Sequence, residues 1–199
     1  MRRIEAALRT AVADLNDLGR SFALIGGFAV SARSEPRTTK DVDFAVLVAD
    51  DEDAEQLAFQ LAARGYTVKT TVEQRHTKRL ATIRTEAPSG TVVDLLFASS
   101  GIEPEIVGAA TPINILGDLV IPVATIAHLI ATKVLARDDR QRPQDRVDLK
   151  ALLDVASAEA LADARAALRL VTTRECARGR DLEADLEQAL TELGPESRG

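Results

Sequence analysis

Asp41 and Asp43 stand two residues apart in Asp41-Val42-Asp43-Phe44-Ala45-Val46-Leu47-Val48, an apolar run that reads as a β-strand. Along a strand, residues i and i+2 point to the same face, so the two carboxylates emerge together while Val42 and Phe44 turn the other way. Carboxylates held that close repel one another unless a cation lies between them. Hard oxygen ligands of this kind suit Mg²⁺, which takes one or two carboxylates and completes its shell with substrate phosphates. A third acid, Asp94, lies inside Thr91-Val92-Val93-Asp94-Leu95-Leu96-Phe97, where a core-facing carboxylate is costly without a partner. Two-metal phosphoryl transfer uses shared carboxylates beside the attacking hydroxyl. Taken singly, each acid also fits an exposed edge strand.

The neighbouring sequence adds a site for phosphate. The apolar run Phe22-Ala23-Leu24-Ile25 ends at Gly26-Gly27, and residues 28–33 read as a short helix. Glycines there let backbone N–H groups approach an anion, and a helix start favours phosphate. Lys and Arg gather in three stretches: Arg33, Arg37 and Lys40; Arg75, Lys78 and Arg79; and Lys133, Arg137, Arg140, Arg142 and Arg146. A solvated face accounts for many of them, and nearness to the acids is what separates the rest.

The elements that position these residues follow from periodicity. Ile4, Leu8, Val12 and Leu15 recur at helical spacing, and Gly19 marks a stop. Residues 54–64 have helix-forming composition behind the N-cap candidates Asp50 to Asp53. Strands are expected at 66–72, 80–85 and 91–98, with Pro88-Ser89-Gly90 as a turn. Ile126, Leu129, Ile130, Val134 and Leu135 carry one helical face, and Leu149, Leu152, Leu153 and Val155 another. Residues 161–168 and 182–193 add two more, and 195–199 reads as a frayed end. The fold expected is α/β (α+β): a mixed-sheet core with an N-terminal helix over 1–124, followed by a helical segment over 125–199.

Bulk properties bound the function. The 199 residues are 46% hydrophobic and 28% charged, enough apolar material for a core built on Ala, Leu, Val and Ile. A formal charge of −6 argues against non-specific binding of long nucleic acid, while leaving room for one locally gripped RNA end. Cys176 is the single cysteine. It excludes an intramolecular disulfide and a Cys-based zinc site, and it suits a reducing compartment. No apolar stretch is long enough for a membrane span and no signal-type segment opens the chain, so a cytoplasmic location is expected. His76 and His128 match no metal spacing and read as structural.

Together, Leu24-Ile25-Gly26-Gly27-Phe28-Ala29-Val30 and Arg37-Thr38-Thr39-Lys40-Asp41-Val42-Asp43 resemble the first motif of the polymerase β nucleotidyltransferase superfamily. Val92-Val93-Asp94-Leu95-Leu96 resembles its strand bearing the third acid. Ala131-Thr132-Lys133-Val134-Leu135-Ala136-Arg137 and Arg142-Pro143-Gln144-Asp145-Arg146-Val147-Asp148-Leu149 are similar to motifs of the AbiEii/AbiGii toxin family within it, with Gln144 where the pattern has Lys. The likeness runs from about residue 21 to 156. It implies a polymerase β-like nucleotidyltransferase core followed by helices. It also implies nucleotide contacts by Gly26, Gly27, Arg37, Thr39 and Lys133, metal binding by Asp41, Asp43 and Asp94, and Asp145 completing the site. Read without it, Lys133 is a helix-surface lysine and Asp145 a helix N-cap.

The function implied is Mg²⁺-dependent transfer of a nucleoside monophosphate from a nucleoside triphosphate, with two metal ions, to a tRNA hydroxyl. A toxin of this kind implies an antitoxin partner. A small-molecule acceptor of the aminoglycoside type uses the same motifs and predicts an acidic pocket, whereas an RNA acceptor predicts basic clusters lining the cleft. A non-catalytic antitoxin or regulatory module on the same fold predicts no metal-dependent nucleotide binding.

Overall fold

The structure, a computed structural model, describes residues 2–74, 78–138 and 143–194. Arg75, His76, Arg140, Arg142 and residues 195–199, considered above from the sequence, lie outside the described residues. Helix α1 (Arg2–Asp17) buries Leu8, Val12 and Leu15 and ends at Gly19, whose φ of 66° is open to glycine at little cost. Strand β1 (Phe22–Ile25) is buried throughout and leads without a loop into α2 (Gly26–Arg33). Strand β2 (Val42–Val46) then returns antiparallel to β1. Helix α3 (Asp51–Ala63) is capped by Asp50, whose side chain accepts from the Asp53 N–H at 2.9 Å.

Three strands follow: β3 (Thr67–Glu73), β4 (Leu80–Glu86) and β5 (Val92–Leu96). The turn at Pro88-Ser89-Gly90 closes with the Gly90 N–H on the Ala87 carbonyl at 2.8 Å. The stretch 99–124, for which periodicity suggested no element, forms α4 (Glu103–Gly108), β6 (Thr111–Asn114) and β7 (Val120–Val123). These elements are too short for any period to show. Helices α5 (Ile126–Ala136), α6 (Pro143–Val155), α7 (Ala158–Thr173) and α8 (Leu182–Leu193) complete the described chain.

The strands form one mixed sheet in the order β3-β4-β5-β2-β1-β7-β6. Neighbours β2 and β5 run parallel, with Asp43 opposite Asp94, while β4 and β5 run antiparallel, with Arg84 opposite Asp94. Ile25 of β1 faces Asp43 from the other side. The strand expected over 41–48 is shorter, so Asp41 lies just ahead of β2 and Asp43 inside it. Helix α5 packs on α7, α6 and α2, and α6 also touches α2. The C-terminal helices therefore lie against the glycine-started helix that follows β1, and the cleft opens between them and the sheet.

Candidate active site

The register of β2 and β5 sets the centre of the cleft. Aligned residues on parallel neighbours point to one face, which brings Asp43 and Asp94 side by side, and Asp41 joins them from the turn before β2. Burial above all, with the charges of Asp94 and Asp41, pushes the Asp43 carboxyl up to about 7, while Lys133 and Arg84 pull against them. The ionised form of Asp43 is thus disfavoured first by burial and then by its acidic neighbours.

Arg84 is the nearest of those cations, and sequence reading did not single it out. Its Nε donates to Asp94 Oδ1 at 2.9 Å and its Nη2 to Oδ2 at 2.6 Å, a two-pronged pairing that raises the guanidinium pKa. The same Nη2 stands 3.9 Å from Asp41. Asp94 itself is only 7% exposed. The burial cost foreseen for it is thus offset by an arginine across the strand. Alternation on β4 hints at Arg84, but only the strand register reveals its partner.

The glycine pair is required by contact. Gly26 has a φ of 62°, and a Cβ there would collide with the Asp43 carboxylate. A Cβ on Gly27 would stand 2.6 Å from Arg37 Nη2 and 2.7 Å from Thr39 Oγ1. Both backbones are thereby free to approach a ligand closely at the start of α2. Thr39 donates to the Asp41 carbonyl at 3.2 Å, and the Arg37 N–H donates to Ser31 Oγ at 3.2 Å, which pins the loop carrying both to α2.

Lys133 and Asp145 depart from their readings as a surface lysine and a helix cap. The Lys133 side chain is 12% exposed and bonds Asp145 Oδ1 at 2.7 Å, with Asp148 Oδ2 also at 2.7 Å. Asp145 lies inside the first turn of α6 and is buried. Asp148, fully buried, also takes the Arg37 Nη2 at 2.8 Å and the Gln144 amide at 3.1 Å. Burial alone would raise the Asp148 carboxyl. The charge of Lys133, with hydrogen bonds from Lys133, Arg37 and Gln144, instead holds it below the ordinary value. Sequence reading gave Asp148 no role of its own; the signal for it is its i+3 spacing from Asp145 on one helix face. Gln144, in the place of a family Lys, adds a neutral donor where two cations already meet one carboxylate.

The cleft has a volume of about 570 Å³ and brings together Gly26, Gly27, Arg37, Thr39, Asp41, Asp43, Asp94, Lys133 and Asp145. Of the basic stretches, Arg37, Lys40 and Lys133 reach it, joined by Arg84 and Arg178. Arg33 instead holds the Val123 and Ala124 carbonyls, Arg79 faces Asp51, and Arg137 faces Glu192. His128 bonds Thr125 at the start of α5, outside the cleft. Among the described residues, no three His, Cys, Asp or Glu side chains are by themselves placed to hold a metal ion. The donor set fits a hard cation held by one or two carboxylates and completed by phosphate oxygens. No helix among the described residues is long and apolar enough to cross a membrane.

A mixed sheet with this strand order, carrying paired acids beside a glycine-started helix, defines a nucleotidyltransferase. The sequence matches the family described as "Nucleotidyl transferase AbiEii toxin, Type IV TA system" over residues 8–197, and the chain belongs to that family. No curated relative matches it. Solved structures share the fold at low identity. An antigenic nucleotidyltransferase-like protein from Paracoccidioides brasiliensis is 18% identical with a TM-score of 0.50, covering 99% of this chain and 96% of that one. The lincosamide antibiotic adenylyltransferase LnuA, solved with lincomycin, is 14% identical with a TM-score of 0.50, covering 76% and 98%. The antibiotic-resistance factor ANT(2'')-Ia is 15% identical with a TM-score of 0.50, covering 94% and 92%.

Two consequences follow for stability. Because the Asp43 carboxyl titrates at about 7 in the folded chain against an ordinary 3.8, its ionisation removes stability as pH rises through that window. Asp43→Asn will therefore raise the metal-free melting temperature more at about pH 8 than at about pH 4.5, and Mg²⁺ will narrow the difference. An increment independent of pH in thermal melts would contradict this. Arg84→Ala leaves Asp94 without its counter-ion. It should cost about 2 kcal/mol in urea unfolding, less than the loss from a fully buried pair because Arg84 is half in solvent. Added Mg²⁺ should restore part of the loss.

Proposed function

We propose that the cleft transfers a nucleoside monophosphate from a nucleoside triphosphate to an acceptor hydroxyl, releasing pyrophosphate. The observation that carries this is the mutual placement of Asp41, Asp43 and Asp94 opposite the Gly26–Gly27 turn and Lys133. In this reading Gly26, Gly27 and the start of α2, with Arg37, Thr39 and Lys133, receive the β- and γ-phosphates. Asp41 and Asp43 would hold Mg²⁺, and Asp94 a second ion once incoming phosphate draws Arg84 away from it. Bound Mg²⁺ would neutralise phosphate charge and make the acceptor hydroxyl more acidic.

Asp94 orients the acceptor oxygen for attack at the α-phosphorus and accepts its proton, passing it to water. The new bond forms between that oxygen and phosphorus as the α–β bridging bond breaks, and its electron pair leaves with pyrophosphate. Asp145 and Asp148 keep Lys133 and Arg37 extended into the cleft, so these cations need little reorganisation when charge builds on the leaving group.

The acceptor we assign is RNA, with tRNA as the candidate, and a toxin role with an antitoxin partner in line with the family. Support comes from the Asp94 side of the site. The strands outward of β5 are β4 and then β3, and all seven residues of β3 are exposed, which leaves room for a large acceptor. A small cationic acceptor is the second reading. It is favoured by the pairing of Arg33, Arg79 and Arg137 away from the cleft.

The test is incubation with Mg²⁺, each α-labelled nucleoside triphosphate and total RNA, beside Asp43→Asn. Label enters RNA with the intact protein and falls by about a thousandfold or more in the variant, as expected when a transition-state charge partner is lost. Binding of triphosphate without RNA labelling would shift the acceptor to a small molecule. Wild-type transfer by folded Asp43→Asn would end the metal reading.

A further inference from the structure

The cleft continues past the carboxylates. On β2 and β5, Ala45 and Leu96 follow Asp43 and Asp94 at i+2 and so line the same face, about 7 Å further along the strands. Ile106 of α4 extends this floor, and Thr132, Leu135 and Ala136 of α5 form the opposite wall. The result is an apolar slot that begins beside the phosphate-binding end.

Its far end is polar. Glu103 is 2% exposed, and its Oε1 accepts from the Ser100 N–H at 2.7 Å and the Ser100 hydroxyl at 2.9 Å. Its Oε2 is equally buried and, among the described residues, receives no hydrogen bond. A buried carboxylate oxygen without a donor is costly, and a ligand N–H placed there recovers the cost. Arg178, an exposed side chain, lines the same end and offers a donor there. Apolar walls with one acceptor and one donor at the end match the faces and edge of a nucleobase.

Resting on the nucleotidyl-transfer reading, we propose that this slot takes the base of the nucleoside triphosphate. Glu103 Oε2 accepts from the amino group that adenine carries at C6 and cytosine at C4, so that these two bases are taken over guanine and uracil. Ser100 occupies the other carboxylate oxygen and fixes the rotamer, which makes Glu103 a specificity residue. Guanine and uracil turn a carbonyl oxygen to that position, and two acceptors then meet.

The test is calorimetric titration of ATP, CTP, GTP and UTP with Ca²⁺ in place of Mg²⁺, alongside inorganic tripolyphosphate. Wild-type protein should bind GTP and UTP about tenfold or more weakly than the better of ATP and CTP. Glu103→Gln, which keeps an oxygen for Ser100, should shrink that ratio to within about twofold and leave tripolyphosphate binding unchanged. Ala136→Leu, which fills the slot from α5, should weaken every nucleotide but not tripolyphosphate. Unchanged nucleotide ratios in Glu103→Gln, or tripolyphosphate binding as tightly as any nucleotide, overturns the base slot while sparing the transfer reading. Failure of tripolyphosphate and all four nucleotides to bind overturns both.

Discussion

Negative charge crowded onto two parallel strands is the constraint around which the cleft is built. The Asp43–Asp94 register puts both residues on one face, with Asp41 joining them in the cleft. Relief comes from neighbouring elements. Strand β4 lies next to β5 and delivers Arg84 to both oxygens of Asp94. Helix α5 brings the charge of Lys133 to bear on Asp43 from the other wall. Gly26 yields the space that the Asp43 carboxylate fills, so strand end and helix start meet without a side chain between them. An arrangement that stores this much repulsion is suited to binding a cation with an anionic substrate.

Lys133 and Arg37 are themselves held by a second layer. Flexible cations near a reaction centre lose rotamer freedom when they engage a ligand, and that loss weakens the contact. Asp148 removes much of it beforehand by receiving Lys133 and Arg37 on one buried carboxylate, with Asp145 fixing the lysine from the preceding turn. Because Asp145 and Asp148 are three residues apart on α6, a single helix face does this positioning. The contact between α6 and α2 then ties the cations to the element that carries the glycine pair.

The sequence disclosed this site unevenly, for physical reasons. Asp41, Asp43, Gly26 and Gly27 were legible because strand alternation and glycine's freedom are local properties. Asp94 was legible as an anomaly, a charge within an apolar run. Arg84 was not, because its meaning depends on which residue the antiparallel register sets opposite it. Glu103 was hidden for a similar reason: it follows a stretch without periodicity and is a short helix's first residue. The helices α5 to α8 were foreseen from their apolar faces, while β6 and β7, four residues each, carry too little pattern to be read. The identity of Lys133 and Asp145 as partners required the fold to bring α5 and α6 together.

The charge balance also bears on how a nucleotide reaches the cleft. A chain of net charge −6 offers little long-range attraction to a bare polyanion, and that attraction is screened within about 10 Å at ordinary salt. Within the cleft, Lys133, Arg37 and Arg84 already face carboxylates, so their fields are largely spent at close range. A triphosphate arriving with its own divalent cation changes this arithmetic. The cation meets Asp41 and Asp43, where repulsion is strongest, and the phosphates meet the glycine turn and the cations beside it. Binding then depends on an exchange of ion pairs at contact distance, with preformed geometry supplying the selectivity that long-range steering does not.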